Sequence, residues 1–201
     1  MDREAFIDFI SREENEVLIK GIKEAAVNQH DVVCNQKYGN NEPYSYHLNM
    51  VAKCALDWCH MICNDTRHII PIIFGAYFHD AIEDARMTYN DVFSLARTFM
   101  NKAQALIATE IVYALTDEKG RNRAERGSEK HYMDIRNTLY APFVNFCDRY
   151  ANYLYSIKEE SRMVAVYNKE MPQFIERLGG NKFIPDELLK QLTSLQILGA
   201  E

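Results

Sequence analysis

The sequence contains no uninterrupted apolar run of the roughly 18 residues that a membrane-spanning helix needs. It also lacks an excess of positive charge, because its 29 Asp and Glu residues outnumber its 23 Lys and Arg residues and give a net charge of −6. Binding of nucleic acid without sequence preference requires a basic surface. We therefore expect no membrane partner and no nucleic-acid partner, whereas a small anionic substrate remains compatible with this composition.

The five cysteines are odd in number and contain no Cys-x-x-Cys pair, so the sequence predicts no disulfide framework. Cys59 and Cys63, together with His60, carry donor groups suitable for zinc, but their spacing matches no common zinc site. We interpret them as reduced, buried thiols in a helix. The N-terminus, Met1–Glu4, is charged and does not resemble a signal peptide. These features predict a cytoplasmic protein.

The pattern of apolar residues is helical along most of the chain, and we find no convincing alternation typical of a strand. Apolar residues make up 47% of the sequence, which is enough for a substantial core. The chain length favours one domain over several. We therefore predict a single all-α domain over residues 1–201, built as a compact helical array.

Helix boundaries are predicted from capping residues, from prolines near helix starts and from glycines after helix ends. The predicted helices cover residues 2–30 with a break near Ser11, 44–63, 66–84, 88–98, 102–115, 130–140, 142–157, 161–178 and a short segment after Pro185. The segment 35–43 is predicted to be a loop. The polar segment 117–128 is predicted to be either a plain connector or a mobile lid.

The most informative stretch is Phe74–Asp84, where an adjacent His and Asp precede an adjacent Glu and Asp within an apolar run. On a helix, His79 and Glu83 would share one face, and so would Asp80 and Asp84. Burial of these groups without compensation is unfavourable, and a bound cation would remove the penalty. Imidazole and carboxylate together suit a divalent transition metal. The alternative, an ordinary solvated helix face, has little room among the apolar neighbours.

Two further ligands are expected from other helices, because one His-Asp pair does not hold a metal ion tightly. His47 opens an amphipathic helix, and Asp148 lies mid-helix among apolar residues, where an unpaired carboxylate is unfavourable. Asn152 follows Asp148 one turn later on the same face. Two imidazoles and two carboxylates leave coordination positions open for water and substrate, which is typical of a catalytic site. This donor set suits Mn²⁺, Fe²⁺ or Zn²⁺.

Four segments resemble motifs of the HD-domain metal-dependent phosphohydrolases. The similarity is greatest to the (p)ppGpp hydrolase domains of RelA/SpoT-type enzymes and to the free-standing small alarmone hydrolases. The segments are Glu42–His47, Phe78–Asp84, Leu115–Lys119 and Asn145–Asn152. They occur in the order of the family and place the motif-bearing core at about 37–157, followed by C-terminal helices over 161–198. The chain departs from the family at Gln36–Gly39, where an Arg is usual.

The resemblance implies one divalent metal ion, Mn²⁺ in the alarmone branch, with Fe²⁺, Zn²⁺ or Mg²⁺ as alternatives. The implied ligands are His47, His79, Asp80 and Asp148. Glu83 and Asp84 would position and deprotonate the attacking water, and Asn152 would orient the substrate or a ligand. Candidate substrate contacts are Lys37, Tyr44, Lys119 and Arg123.

The expected activity is hydrolysis of a small phosphorylated nucleotide by metal-activated water, with release of the 3′-pyrophosphate of a (p)ppGpp-like substrate. One alternative is an HD-type phosphatase or phosphodiesterase for a nucleoside monophosphate, NADPH or a cyclic nucleotide, because pocket contacts rather than the metal set specificity. Another is a nucleotide-binding domain without turnover. The combination of Glu83, Asp84 and Asn152 with the ligands favours catalysis.

Overall fold

The computed structural model of the chain describes residues 1–117, 121 and 123–198. The described residues are almost entirely helical and confirm the predicted all-α, single-domain fold. The α-helices are α1 (Arg3–Ile10), α2 (Glu13–Val27), α3 (Ser45–Ile62), α4 (Ile69–Phe78), α5 (Tyr89–Phe99), α6 (Lys102–Leu115), α7 (Arg123–Arg126), α8 (Glu129–Asn137), α9 (Ala141–Lys158), α10 (Met163–Leu178) and α11 (Asp186–Leu198). No helix in the described ranges combines the length and apolar character needed to cross a bilayer.

Helix α4 lies at the centre of the fold, and each of its 10 residues is buried. It packs against α2, α3, α6 and α9. A helix enclosed on all sides needs an apolar sequence around its whole circumference, which α4 has. Gly75 allows the close approach of α6, since a Cβ at this position would lie 2.7 Å from Cγ2 of Ile111. The packing of α4 therefore carries His79, the next residue after it, into the interior.

One continuous apolar core joins the central helices to the C-terminal ones, so α10 and α11 belong to the same unit as α3 and α4. Phe174 and Leu178 from α10 and Leu188 from α11 are buried in this core. All five cysteines are free, and Cys59 and Cys63 have no exposed surface. The prediction of reduced, buried thiols is confirmed for these two residues.

Local capping signals explain several helix boundaries. Thr88 and Asp91 form a reciprocal capping box that opens α5, as the sequence predicts. Gly179, in the left-handed region at φ +95°, ends α10. The predicted break near Ser11 is confirmed, since α1 ends at Ile10 and α2 begins at Glu13. Residue Arg12 occupies the N-cap of α2, and its side chain makes no capping hydrogen bond.

The prediction of one helix through Asp84 is wrong beyond Phe78. Helix α4 ends there, and residues 79–85 form hydrogen-bonded turns, including one from the amide of Asp84 to the carbonyl of Asp80 at 2.8 Å. The ring Nδ1 of His79 lies 3.0 Å from the carbonyl of Ala76, which a continuing helix would use for the amide of residue 80. The side chain of His79 thus competes for the bond that would extend α4.

The predicted loop over 35–43 contains a small antiparallel hairpin, with β1 at Lys37–Tyr38 and β2 at Glu42–Pro43. Strands of two residues are too short to show alternation in a sequence. The hairpin is fixed to α9, because the amide of Asn40 donates to the hydroxyl of Tyr155 at 3.0 Å. Gly39 adopts φ +48°, and a Cβ there would lie 2.1 Å from the same hydroxyl oxygen. The hairpin therefore depends on a glycine at this turn.

We expect Gly39→Ala to destabilise the protein by about 2–5 kcal/mol, because left-handed strain contributes about 1–2 kcal/mol and overpacking about 1–3 kcal/mol. Gly180→Ala is the matched control, since Gly180 also has a positive φ, +59°, but its Cβ would meet nothing within 4 Å. The control should retain only the backbone strain. Thermal unfolding of both variants measures the difference, and equal losses of stability would show that the Tyr155 contact is unimportant.

Candidate metal centre

Three separate parts of the chain deliver the four predicted ligands to one point. His47 lies in the first turn of α3, His79 and Asp80 follow α4 directly, and Asp148 lies in the middle of α9. These helices pack against one another around α4. His47 and His79 are 1% and 3% exposed, so their imidazoles meet inside the protein rather than at its surface.

The donor atoms of His47, His79 and Asp80 all lie within 4.8 Å of one another, a grouping that could hold a metal ion, and Asp148 approaches both histidines. Nε2 of His47 lies 3.2 Å from Nε2 of His79 and 3.1 Å from Oδ1 of Asp148. Nε2 of His79 lies 2.8 Å from Oδ2 of Asp80 and 3.5 Å from Oδ1 of Asp148. Ligands held at about 2.0–2.2 Å from one metal ion are themselves about 3.0–3.5 Å apart. The two imidazoles and two carboxylates therefore fit a mixed nitrogen–oxygen site for a divalent metal.

The contact between His79 and α4 also fixes the imidazole for coordination. When Nδ1 donates its hydrogen to the carbonyl of Ala76, the lone pair of Nε2 faces the other ligands. Metal-binding histidines in proteins are commonly oriented by such a second contact. The same interaction that ends α4 therefore presents His79 as a ligand.

Asp148 is held in place by Asn152. The amide Nδ2 of Asn152 donates to Oδ1 of Asp148 at 2.7 Å, and Oδ1 of Asn152 accepts a hydrogen bond from the Tyr38 hydroxyl at 2.8 Å. The ring of Tyr38 is stacked on His47, with 4.7 Å between ring centroids. Asn152 therefore orients a ligand, and Tyr38 supports both Asp148 and His47. Tyr38 was not among the predicted site residues, because a short hairpin has no pattern that shows which residue packs against the site.

The electrostatics of the cluster favour an added positive charge. Burial opposes the charge of His79, but Asp80 and Asp148 outweigh it and raise the pKa of this imidazole well above its usual value. Burial also opposes ionisation of Asp148, yet hydrogen bonds from His47 and His79 lower the pKa of this carboxyl. The two carboxylates thus remain ionised and favour a proton on His79. A divalent cation at the same point would satisfy both carboxylates and release that proton.

Glu83 and Asp84 have different surroundings. Glu83 lines the cavity beside the ligands, and its Oε2 accepts a hydrogen bond from the amide of Asp117 at 3.2 Å. Burial, followed by the nearby carboxylates, raises the pKa of Glu83. Asp84 instead accepts a hydrogen bond from Nε2 of Gln36 at 3.1 Å. Its Oδ2 also lies 3.4 Å from the hydroxyl of Tyr44, whose single hydrogen is shared with the nearer Oδ2 of Asp80. The structure therefore separates two acids that the sequence treated as equivalent.

A cavity of about 630 Å³ opens beside the ligands. Its lining includes the carboxylates of Asp80, Glu83 and Asp148. The lining also combines cations with aromatic rings: the guanidinium of Arg177 lies 3.9 Å from the ring centroid of Tyr132, and that of Arg149 lies 4.4 Å from that of Phe174. Arg149 is also paired with Glu170, another lining residue, at 2.9 Å. Arg149 and Arg177 were not among the predicted substrate contacts, because helix periodicity does not reveal which cations border a cavity.

The predicted substrate contacts lie in different places. Lys37 is exposed on β1, and Lys119 lies outside the described residues, as does the side chain of Arg123. Tyr44 is only 7% exposed, and its hydroxyl donates to Oδ2 of Asp80. The contacts of Tyr44 therefore support a ligand rather than indicate a base-binding role. His30, which was not among the predicted site residues, is fully buried and stacks on Tyr44.

Comparisons with protein-family models, with curated proteins and with solved structures gave no match. The site is therefore interpreted from its geometry and from the local motifs of the sequence.

Proposed function

We propose that the protein is a metal-dependent phosphoester hydrolase acting on a small phosphorylated nucleotide, with a 3′-pyrophosphorylated nucleotide of the (p)ppGpp type as the first candidate. The carrying observation is the group of His47, His79 and Asp80, whose donor atoms lie within 4.8 Å of one another, with Asp148 against both histidines and Glu83 lining the adjacent cavity. Such a centre leaves open positions for water and for a phosphate oxygen. The motif resemblance to HD-domain phosphohydrolases supports the same reaction.

A bound divalent ion would supply Lewis acidity and lower the pKa of coordinated water. Glu83, a carboxylate in the lining of the cavity, would accept a proton from the water that attacks phosphorus. A carboxylate with a raised pKa is a more effective base near neutral pH, and burial has this effect on Glu83. His47, His79, Asp80 and Asp148 hold the charge of the centre, while Asn152 keeps Asp148 oriented. This division assigns proton transfer to Glu83 alone.

The shape of the cavity supports a nucleotide as substrate. Its volume of about 630 Å³ lies within the range of small-molecule sites, roughly 300–1,000 Å³. Arg149 and Arg177 line the same cavity and lie over aromatic rings, while each is also paired with a carboxylate, Glu170 and Glu129 respectively. Guanidinium groups can bind phosphate oxygens through their edges and a flat base through their faces. A phosphate near the metal, with a base or second phosphate against these arginines, would occupy the cavity.

A second candidate is hydrolysis of another nucleotide, such as a nucleoside monophosphate, NADPH or a cyclic nucleotide. Gln36 stands in the loop where alarmone hydrolases usually carry an Arg, and its side chain is bonded to His30 and Asp84. This observation favours a substrate that does not require the loop arginine.

Metal reconstitution with a nucleotide panel tests the proposal. Metal-free protein should take up one Mn²⁺, Fe²⁺, Zn²⁺ or Mg²⁺ per chain, and turnover should appear with the ion and disappear with a chelator. The panel contains ppGpp, nucleoside monophosphates, NADPH and cyclic nucleotides, assayed for pyrophosphate, phosphate and nucleoside. Release of pyrophosphate from ppGpp supports the first candidate, and turnover of another nucleotide alone supports the second. Absence of turnover with every metal and nucleotide would contradict hydrolysis.

A further inference from the structure

A chain of hydrogen bonds, buried at its His30 end and exposed at Asp84, reaches the candidate metal ligands from the segment 28–36. Nδ1 of His30 lies 2.7 Å from Oε1 of Gln36, and Nε2 of Gln36 donates to Oδ2 of Asp84 at 3.1 Å. The hydroxyl of Tyr44 contacts both Asp84 and the ligand Asp80. The chain therefore joins His30 to a metal ligand through three side chains.

The direction of these hydrogen bonds follows from the chemistry of the groups. An ionised Asp84 can only accept, so Gln36 must turn its amide nitrogen toward Asp84 and its oxygen toward His30. Nδ1 of His30 then carries the hydrogen and donates it to Gln36. Because His30 has no exposed surface and its ring lies parallel to that of Tyr44 at 5.0 Å, its position is fixed by packing as well.

The same segment also holds the backbone of the acidic turn. Nε2 of Gln29 donates to the carbonyl of Ala85 at 2.8 Å, and the thiol of Cys34 donates to it at 3.4 Å. The residues from Asn28 to Val33 form a π-helical turn, a geometry often found at functional sites. The turn 79–85 is thus bound at a side chain and at a carbonyl by residues about 50 positions earlier in the sequence.

We propose that His30 and Gln36 are positioning residues of the metal centre, and that Asp84 acts through Tyr44 on Asp80 rather than as a base. The proposal rests on the proposed function for the identity of the site, but it concerns ligand placement and not the substrate. Glu83, which lines the cavity, remains the proton acceptor. Residues in such outer positions typically change metal affinity or activity by about 10- to 100-fold when they are removed.

The test measures the affinity of metal-free variants for Mn²⁺ and Zn²⁺ by competition with a chromophoric chelator. His30→Phe keeps an aromatic ring against Tyr44 but removes the donor, and Gln36→Leu removes both hydrogen bonds. Each should weaken metal binding by about 10-fold. His30→Asn can donate from a similar position as Nδ1 and should restore most of the affinity. His68→Phe is the matched control. It removes a histidine–tyrosine contact, 2.9 Å from Nδ1 to the hydroxyl of Tyr140, that does not belong to these hydrogen bonds.

The double variant His30→Phe with Gln36→Leu distinguishes positioning from general destabilisation. If His30 and Gln36 act through the same series of hydrogen bonds, the double variant should bind metal about as weakly as either single variant, since the effects of coupled residues do not add. Unchanged affinity in folded single variants, an additive double variant, or equal losses in His30→Asn and His30→Phe would each overturn the proposal. Wild-type protein that binds neither Mn²⁺ nor Zn²⁺ would also overturn the proposal, and it would contradict the assignment of the metal centre as well. Metal binding without hydrolysis would contradict only the proposed function.

Discussion

Asp80→Ala should abolish tight metal binding and, with it, all metal-dependent hydrolysis. Asp80 lies 2.8 Å from Nε2 of His79 and is a direct ligand candidate. Its removal should reduce affinity by more than the roughly 10- to 100-fold that loss of an outer partner causes. Metal content after gel filtration and turnover of the best nucleotide measure the effect. We expect the variant to remain folded, because the apolar core around α4 is unchanged.

Asp57→Ala provides the control for this variant. Asp57 lies on α3, as His47 does, but its carboxylate forms an exposed ion pair with Lys53 at 2.6 Å. Exposed pairs of this kind contribute little to stability. The control should keep its metal and its activity. Retention of one tightly bound ion by the Asp80 variant would refute the ligand assignment.

Glu83→Gln should have the second large effect, a fall in kcat of about 100- to 10,000-fold, the range for loss of a general base. Metal affinity should stay close to wild type, because Glu83 bonds the amide of Asp117 and not a ligand. Wild-type activity should fall as the pH drops below the raised pKa of Glu83, since only the ionised carboxylate accepts a proton. The variant should lose that dependence. Steady-state kinetics across pH on the metal-loaded protein provide the measurement.

The matching control is Glu24→Gln on α2, where an exposed carboxylate lies 3.9 Å from Lys20. It should leave kcat and the pH profile unchanged. A stronger effect from Asp84→Asn on kcat than from Glu83→Gln, with metal affinity intact, would exchange the roles of the two acids.

Local chemistry explains why much of the fold was predictable. The capping box at Thr88 and Asp91 and the apolar spacing of α6 are properties of neighbouring residues, and α6 spans Lys102–Leu115 as predicted. The end of α4 was not predictable in this way. It follows from a contact of the His79 ring with Ala76, and that contact depends on how α4 is buried.

The candidate site likewise has some features that could be predicted from local sequence and others that depend on tertiary contacts. Residue types at His79, Asp80 and Asp148 indicated a metal, and the need for further ligands indicated that distant helices meet, while the motif resemblance implied which residues are the four ligands. His30 was missed because a single histidine in an ordinary helical pattern is usually a core residue. Its importance comes from Gln36 and Tyr44, which reach it across the fold. Spacing along a sequence does not encode such a relation.

The way α4 terminates implies an order of events in the proposed reaction. The last carbonyls of a helix carry partial negative charge, and here one of them, from Ala76, contacts His79 beside the cavity. The carboxylates lining that cavity are those of Asp80, Glu83, Asp117, Asp148 and Glu170. Arg126, Arg149 and Arg177 line the same cavity, but the five carboxylates outnumber them, so without a cation the cavity disfavours a nucleotide phosphate. We therefore expect an obligatory sequence in which the cation loads first and the nucleotide second, so nucleotide affinity measured without metal should be very weak.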